Sequence, residues 1–557
     1  MNTKMDKDLL SKDREMTSGS ALLEEKIITG IKTTTYKIIS KDVREFHFII
    51  PFDKRVELGE IFSIKDNAIK GDEITFLARI IDIRHDSNYE GKWDTALKGT
   101  EFFDEDQIFN RVIAEPLGCI IFNKKSGENE FKKSKTIPSK FSEVEKAQFE
   151  EFEVLKEKIS GDLEVGYLRN GSEAVEEISV GLNSKVMDHH MGVFATTGMG
   201  KSNFMKVFAA SCMKRASNGV SEFGLLIVDP HGEYLLGNRK KDSKDAPKGL
   251  LHLTKYSDGL KCYSTDKKNA LIPNVVELKV GWEDIKPSDL FARYIDWSTA
   301  QKEAILSIER SIKRGSFQEK SWLEKIKDGE SVVSAQYREG TVDVITRRVE
   351  DILDLDYIDG HRSNIREIIS NIQMGKVVLI DMHRISERDE LFLLSVLSRH
   401  ILEQYKDDDF NGARKNCLIT IEEAQRVLGG GDGSISRFER IAREGRKFGV
   451  GLCAITQQPK LIDKQLLSQF NTLVIMGLGD KNDRKCLEES AKQDLSTLDV
   501  EIQTLEKGEA IISTLNVPFP IPTTIHLYND YLERLKEKDT AEGNHEPKAK
   551  KLSRPPN

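Results

Sequence analysis

The sequence predicts an α/β chain in which a parallel sheet clothed by helices follows a small all-β domain. Three observations carry that prediction. Continuous apolar runs alternate with helical stretches: Met191–Phe194, GLLIVD (224–229), KVVLIDM (376–382), CLITIEE (417–423) and GVGLCAIT (449–456). Strands buried on both faces of a parallel sheet read this way. Ahead of them, the short β-rich runs TTTYKII, EFHFII and EITFLARIIDI recur between turn-like segments, the texture of a small barrel or sandwich. Finally, a glycine-rich turn joins Met191–Phe194 to a helical stretch.

Taken in order, residues 1–22 are polar, mixed in charge and read as a mobile arm. The β-rich domain is expected over 23–185. It takes in DQIFNRVIAEPLGCIIF (106–122), a helix over SEVEKAQFEEFEVLKEKIS (142–160) and further strands in GDLEVGYLRNGSEAVEEISVGLN (161–183). Phe46 and Phe48 share one strand face and, with Phe62 and Phe76, read as barrel core rather than base-stacking platforms. The α/β domain is expected over 186–535, with a mostly helical insertion at 284–372. Residues 536–557 are charged, contain proline and read as a mobile tail.

A chain of 557 residues is too long for a single core. Its net charge of -8 argues against a protein that coats nucleic acid with its outer surface, but is compatible with a local basic channel. No run reaches the ~18 apolar residues of a membrane helix, and the N-terminus lacks the apolar segment of a signal peptide. The six cysteines are scattered without a CxxC pair, which suits buried thiols in a reducing compartment. The expectation is a soluble, cytoplasmic protein with no membrane partner.

The strongest chemical signal is Ala195-Thr196-Thr197-Gly198-Met199-Gly200-Lys201-Ser202, between an apolar strand and the helix NFMKVFAASCMKRAS. Glycines let such a loop wrap so that its N–H groups face phosphates, and the helix N-terminus adds favourable electrostatics. Thr197, Gly198, Met199, Gly200, Lys201, Ser202 and Asn203 form the expected cradle for ATP. Lys201 is placed to reach the β- and γ-phosphates, and the Ser202 hydroxyl to hold Mg2+.

Hydrolysis needs carboxylates at the end of a strand beside this loop. Three strands end in acids: at Asp229, at Asp381, and at Glu422-Glu423. Only the last offers adjacent carboxylates, so Glu422 is assigned to Mg2+ and Glu423 to the catalytic base. Asp229 stands as the alternative, and Asp381 reads as a strand-end cap. The strand LCAITQQP places Gln457 where an amide can sense the γ-phosphate. Arg443 and Arg446 in REGRKFG either stabilise transition-state charge at a neighbouring subunit or complement a helix dipole. His189-His190 lacks a third ligand at suitable spacing for a metal site.

Together HHMGVFATTGMGKS, IVDPHGEY, IEEAQ, IAREGRKFGVGL and TQQP, with LLSQFNTLVIM and LEKGEAII beyond, resemble the HerA family of hexameric DNA translocases, relatives of FtsK. The resemblance is specific from about Val186 to Ile525; earlier, the β-rich region is similar to the family's HAS-barrel. It implies a RecA-like P-loop ATPase, with Asp229 and Glu233 in the nucleotide site and the IEE strand as the Walker B element. It also implies Arg443 or Arg446 acting in trans and Gln457 as sensor. Ala195 replaces a glycine, Glu422 stands where aspartate is frequent, and Gln425 where histidine is frequent. His189 takes a position that is arginine in some members.

The resemblance further implies a hexameric ring that threads double-stranded DNA, with a nuclease or defence effector docking on the barrel. Candidate phosphate contacts are Arg310, Lys313, Arg314, Arg347 and Arg348, for which a solvated helix face is the plainer reading. The basic tail (Lys548, Lys550, Lys551, Arg554) and the loop GGGDGS (429–434) read most simply as a solubilising end and an exposed connection. Two rival functions share these motifs: a conjugation or secretion ATPase, and an ATP-regulated scaffold for an effector enzyme.

Overall fold

The computed structural model describes residues 36–66, 74–87, 108–123, 127–187, 189–237, 246–294, 296–317, 320–332, 337–383, 385–407, 414–429, 437–515 and 517–542. The expected N-terminal arm, most of the GGGDGS loop and the basic tail lie outside these residues.

The first seven strands are β1 (Tyr36–Lys41), β2 (Phe46–Pro51), β3 (Ile61–Asp66), β4 (Ile74–Ser87), β5 (Ile108–Asn123), β6 (Glu128–Lys132) and β7 (Glu143–Lys146). They pair antiparallel in the order β2-β1-β7-β3-β4-β5, and β5 pairs back onto β2. Six strands therefore close a barrel, and β6 extends from β5. Side chains that alternate inward fill it. Phe46, Phe48, Phe62 and Phe76 are all at most 2% exposed, with the Phe48 and Phe62 rings 5.3 Å apart and the Phe46 and Phe76 rings edge-to-face at 6.1 Å. Register shifts at Leu77/Ala78 and Ile80/Asp82 bend the long β4–β5 pair. The segment 142–160, expected to be wholly helical, splits. Glu143–Lys146 is the strand that joins β1 to β3 with Val144 inward, and the helix is confined to Phe149–Ile159.

The second sheet contains β8 (Leu163–Asn170), β9 (Glu173–Leu182), β10 (Met191–Phe194), β11 (Phe223–Asp229), β12 (Leu260–Ser264) and β13 (Val275–Glu277). A separate pair is formed by β14 (Val280–Gly281) and β15 (Ile358–Asp359). The sheet continues with β16 (Val377–Asp381), β17 (Asn416–Ile421), β18 (Val450–Thr456), β19 (Thr472–Met476), β20 (Glu509–Thr514) and β21 (Ile521–Ile525). Its order is β13-β12-β16-β11-β17-β18-β10-β19-β20-β21-β8-β9. From β13 to β19 every pairing is parallel, and from β19 to β9 every pairing is antiparallel. All five expected apolar strands lie in the parallel half. The strands in 161–183 do not belong to the barrel. They form the β8–β9 hairpin on the antiparallel end of the second sheet, because β8 pairs with β21.

Apolar residues on successive positions of β11 point to opposite faces. Leu225 and Ile227 join the cluster under the helix Lys201–Ser217, whereas Leu226 and Val228 join the cluster under the helix Glu387–Lys406. Burying Phe204 and Phe208 from the first helix stabilises this packing by roughly 1.5–3 kcal/mol per side chain. The insertion contains the helices Thr299–Lys313, Trp322–Lys327, Glu339–Leu353 and Ile365–Gln373. The helix Tyr528–Glu542 runs into the stretch expected to begin the mobile tail. Among the described residues no helix is long and apolar enough to cross a membrane.

The barrel meets the second sheet at a polar seam. Asn170 in β8 accepts from the Ile61 amide at 2.7 Å. Arg79, fully buried, donates to Glu115 and to the Pro520 carbonyl, both at 3.1 Å. Glu501 accepts from Arg169 at 2.5 Å and lies 4.0 Å from the Arg79 guanidinium.

Candidate nucleotide site

The parallel strands end together, and their ends build the site. β10 is buried throughout and lies between β18 and β19. The loop that follows is tied to both neighbours: the Ala195 amide donates to Thr456 O at 3.3 Å and the Thr196 amide to Gly477 O at 3.1 Å. Gly198 and Gly200 have φ of +85° and +110°, which a side chain would strain. Among the described non-glycine residues only Phe141, Asn274 and Glu423 have positive φ. Ala195 therefore sits in ordinary backbone space, and its methyl, fully buried, adds no strain where a glycine was expected.

Lys201 opens the helix and folds back over the loop, its Nζ donating to Ala195 O at 2.8 Å. Burial lowers the pKa of this ammonium, against the opposing pull of Glu423 and Glu422. Ser202 lines a cleft of about 970 Å3 together with Lys206, Glu233, Lys507 and Tyr528. Asn203 lines it too, but its amide is engaged elsewhere: Nδ2 donates to His526 O at 2.8 Å and Oδ1 accepts from the Tyr528 amide at 2.9 Å. It shapes the cleft wall instead of offering its amide to a ligand.

Glu422 and Glu423 follow β17, which is separated from β10 by β18. Burial pushes the Glu422 carboxyl up to about 7, although it accepts from the Tyr234 hydroxyl at 2.7 Å. Glu423 has φ +47°, a cost of order 1–3 kcal/mol that the surrounding structure holds in place. Its Oε2 accepts from Gln425 at 2.8 Å and its Oε1 from Gln457 at 3.4 Å. Gln457, at the end of β18, in turn accepts from the Thr197 hydroxyl at 2.5 Å. One amide thus connects the phosphate loop to the second acid. Both acids line a smaller cleft of about 440 Å3 with His231, Glu390 and Arg426.

Asp229 lies one strand further from the loop than these acids and is fully buried. It accepts from the amides of Glu233 (3.1 Å) and Tyr234 (2.8 Å), and burial raises its carboxyl to about 6. It organises the DPHGEY turn, which delivers Glu233 to the large cleft. Asp381 accepts from Ser264 and Asn269, both at 2.6 Å, as a strand-end cap.

Arg443 and Arg446 are exposed and carry no ion pair among the described residues. They precede β18, at the end of the sheet opposite the phosphate loop. A strand of that length spans about 20 Å, so neither arginine reaches the acids of its own chain. Of the proposed DNA contacts, Arg310, Lys313, Arg314 and Arg347 are exposed. Arg348 is not available: it packs over the rings of Tyr294 and Trp297, 4.7 and 4.2 Å from their centroids, and pairs with Asp296 at 2.9 Å. His190 is buried and accepts from the Leu452 amide at 3.0 Å, a structural role.

These residues fit a magnesium nucleotide. The Ser202 hydroxyl lines the large cleft and the half-buried Glu422 carboxyl the smaller one, and among the described residues no cluster of three or more metal-ligating side chains exists. Mg2+ ordinarily takes one or two protein ligands and completes its shell with phosphates and water. Tyr234 and Thr456 were given no role from the sequence, and Gln425 was noted only where histidine is frequent in the family it resembles. Tyr234 lies within the DPHGEY motif, and that motif is its only local signal.

The family model "Helicase HerA, central domain" matches residues 163–401. The DNA double-strand break repair helicase HerA of Saccharolobus solfataricus is 28% identical over 399 residues, 69% of this chain and 72% of the relative. A probable helicase of Methanocaldococcus jannaschii is 26% identical over 524 residues, 89% of this chain and 96% of the relative. Among solved structures, the plasmid coupling protein TrwB with ADP and Mg2+ matches at 14% identity and a TM-score of 0.43, over 62% of this chain and 88% of that one. VirB4 of Thermoanaerobacter pseudethanolicus matches at 12% identity and 0.41, over 66% and 96%. The matched region contains the phosphate loop and the DPHGEY turn, and the similarity to HerA helicases and related probable helicases extends over most of the remaining chain.

Proposed function

We propose that this protein is an ATP-hydrolysing ring motor that translocates on or unwinds double-stranded DNA. The observation that carries the ATPase part is the Thr197–Gln457–Glu423 connection, which couples a P-loop to a strand-end acid through one amide. Loop N–H groups and Lys201 bind the phosphates. Ser202 and Glu422 would hold Mg2+, which supplies charge neutralisation at the phosphates when bound. Glu423 orients the attacking water and accepts its proton, and Gln457 reports the γ-phosphate position. Arg443 or Arg446 enters from a neighbouring subunit, since neither reaches its own acids. A hexamer places one such interface at every site.

The DNA part rests on the relatives, which are described as DNA repair helicases. A nuclease or defence effector docks on the barrel, the part that lies outside the motor sheet. The test is ATP hydrolysis by the purified protein with and without duplex DNA, with Glu423→Gln as control. Stimulation by duplex DNA that disappears in the variant supports the motor. Hydrolysis indifferent to DNA overturns it in favour of a scaffold regulated by nucleotide.

A further inference from the structure

Gln425 opens the short helix Gln425–Leu428, two residues beyond Glu423. Both ends of its amide are engaged. Nε2 donates to Glu423 Oε2 at 2.8 Å, and Oε1 accepts from the Thr456 hydroxyl at 2.5 Å. Thr456 is fully buried at the end of β18, and its hydroxyl also accepts from the Gln458 amide at 3.0 Å. The amide is therefore anchored to the sheet at one end and holds the carboxylate at the other.

The second glutamine on Glu423 is placed differently. Gln457 approaches Oε1 at 3.4 Å and is bonded to Thr197 in the phosphate loop. Its contact is tied to the phosphate loop, whereas the Gln425 contact is tied to the sheet through Thr456. A glutamate on a strained backbone, at φ +47°, has a long side chain with several staggered headings. A general base acts only when its oxygen points at the proton it abstracts. Gln425 restrains one oxygen and leaves the other, on the weaker contact, for the water.

We propose that Gln425 is a positioning residue that fixes the heading of the Glu423 carboxylate by bridging it to Thr456. The proposal rests on Glu423 being the base. Gln425→Met keeps the length and volume of the side chain and removes both hydrogen bonds. Losing a bond to a charged group predicts a fall in kcat of about 10- to 100-fold. Affinity for a fluorescent ATP analogue should stay within about twofold, because Gln425 touches no phosphate-loop residue. Gln425→His, which can donate from one ring nitrogen and accept at the other, should recover most of kcat.

The experiment measures kcat, nucleotide affinity and thermal unfolding of the full-length protein for the wild type, both Gln425 variants and Glu423→Gln. Wild-type kcat in Gln425→Met overturns the proposal. So does a loss of affinity or a lower unfolding temperature in step with kcat, which would mark a merely structural role. If Glu423→Gln hydrolyses ATP normally, the base assignment itself falls. If Glu423→Gln is inactive while Gln425→Met is fully active, only the positioning role falls.

Discussion

Tyr234 holds two acids at once: its hydroxyl donates to Glu422 Oε1 at 2.7 Å and its amide to Asp229 Oδ2 at 2.8 Å. The hydroxyl bond favours the charged form of Glu422 against its burial. Tyr234→Phe should raise the Glu422 pKa further, by about one unit if a hydrogen bond of ~1.5 kcal/mol is lost. The acid limb of the kcat/KM profile for Mg-ATP should then move to higher pH. A profile superimposable on the wild type would remove Glu422 from the metal role.

The same carboxyl affects stability in the absence of nucleotide. Its folded pKa of about 7 lies above the ordinary value of 4.5, so the folded state retains a proton that the unfolded state has released. The associated stability is complete below pH 4.5, declines as pH rises and is gone above about 7. A shift of this size corresponds to about 3 kcal/mol. Denaturant unfolding at pH 5 and pH 8 should show a smaller pH dependence in Glu422→Gln than in the wild type.

An arginine supplied by the neighbouring subunit predicts complementation. Arg446→Ala and Glu423→Gln should each be inactive alone, as should the Arg443 variant if that residue is the donor. When differently mutated subunits are mixed before assembly, about a quarter of head-to-tail interfaces combine an intact acid with an intact arginine. Recovery of activity on mixing reads this directly, and silence at every ratio would place the arginines elsewhere.

At the seam, Arg79 is fully buried beside Glu115 and Glu501. Arg79→Met leaves Glu115 without its cation and the Pro520 carbonyl without its donor, while Glu501 keeps Arg169, and should destabilise the protein by about 3 kcal/mol. Adding Glu115→Gln, which removes the uncompensated charge beside the vacated site, should recover part of that loss. Urea unfolding of the single and double variants measures both terms.

The parallel half of the sheet was legible because strands buried on both faces must be continuously apolar, and the phosphate loop because only glycine occupies φ of +85° and +110° cheaply. The β8–β9 hairpin was misassigned because its alternating pattern is the same whichever sheet it joins, and its partner β21 lies more than 300 residues away. Arg347 and Arg348 are neighbours with opposite fates: one is exposed, the other stacked on Tyr294 and Trp297. Asn203 followed the loop in sequence, yet its amide is taken by the turn at 526–528, a contact between distant segments. The Gln425–Glu423 bond depends on side-chain headings, which spacing does not encode.

The β8–β9 hairpin carries a mechanical consequence. It is hydrogen-bonded through β21, β20 and β19 to the strand that bears the phosphate loop, while Asn170 at its tip accepts from the Ile61 amide of the barrel. A sheet transmits displacement along its ladders far more stiffly than a peptide linker does. The barrel is thus mounted on the motor like a tool on a shaft, and whatever grips its outer wall inherits the orientation of the ATP site beneath it.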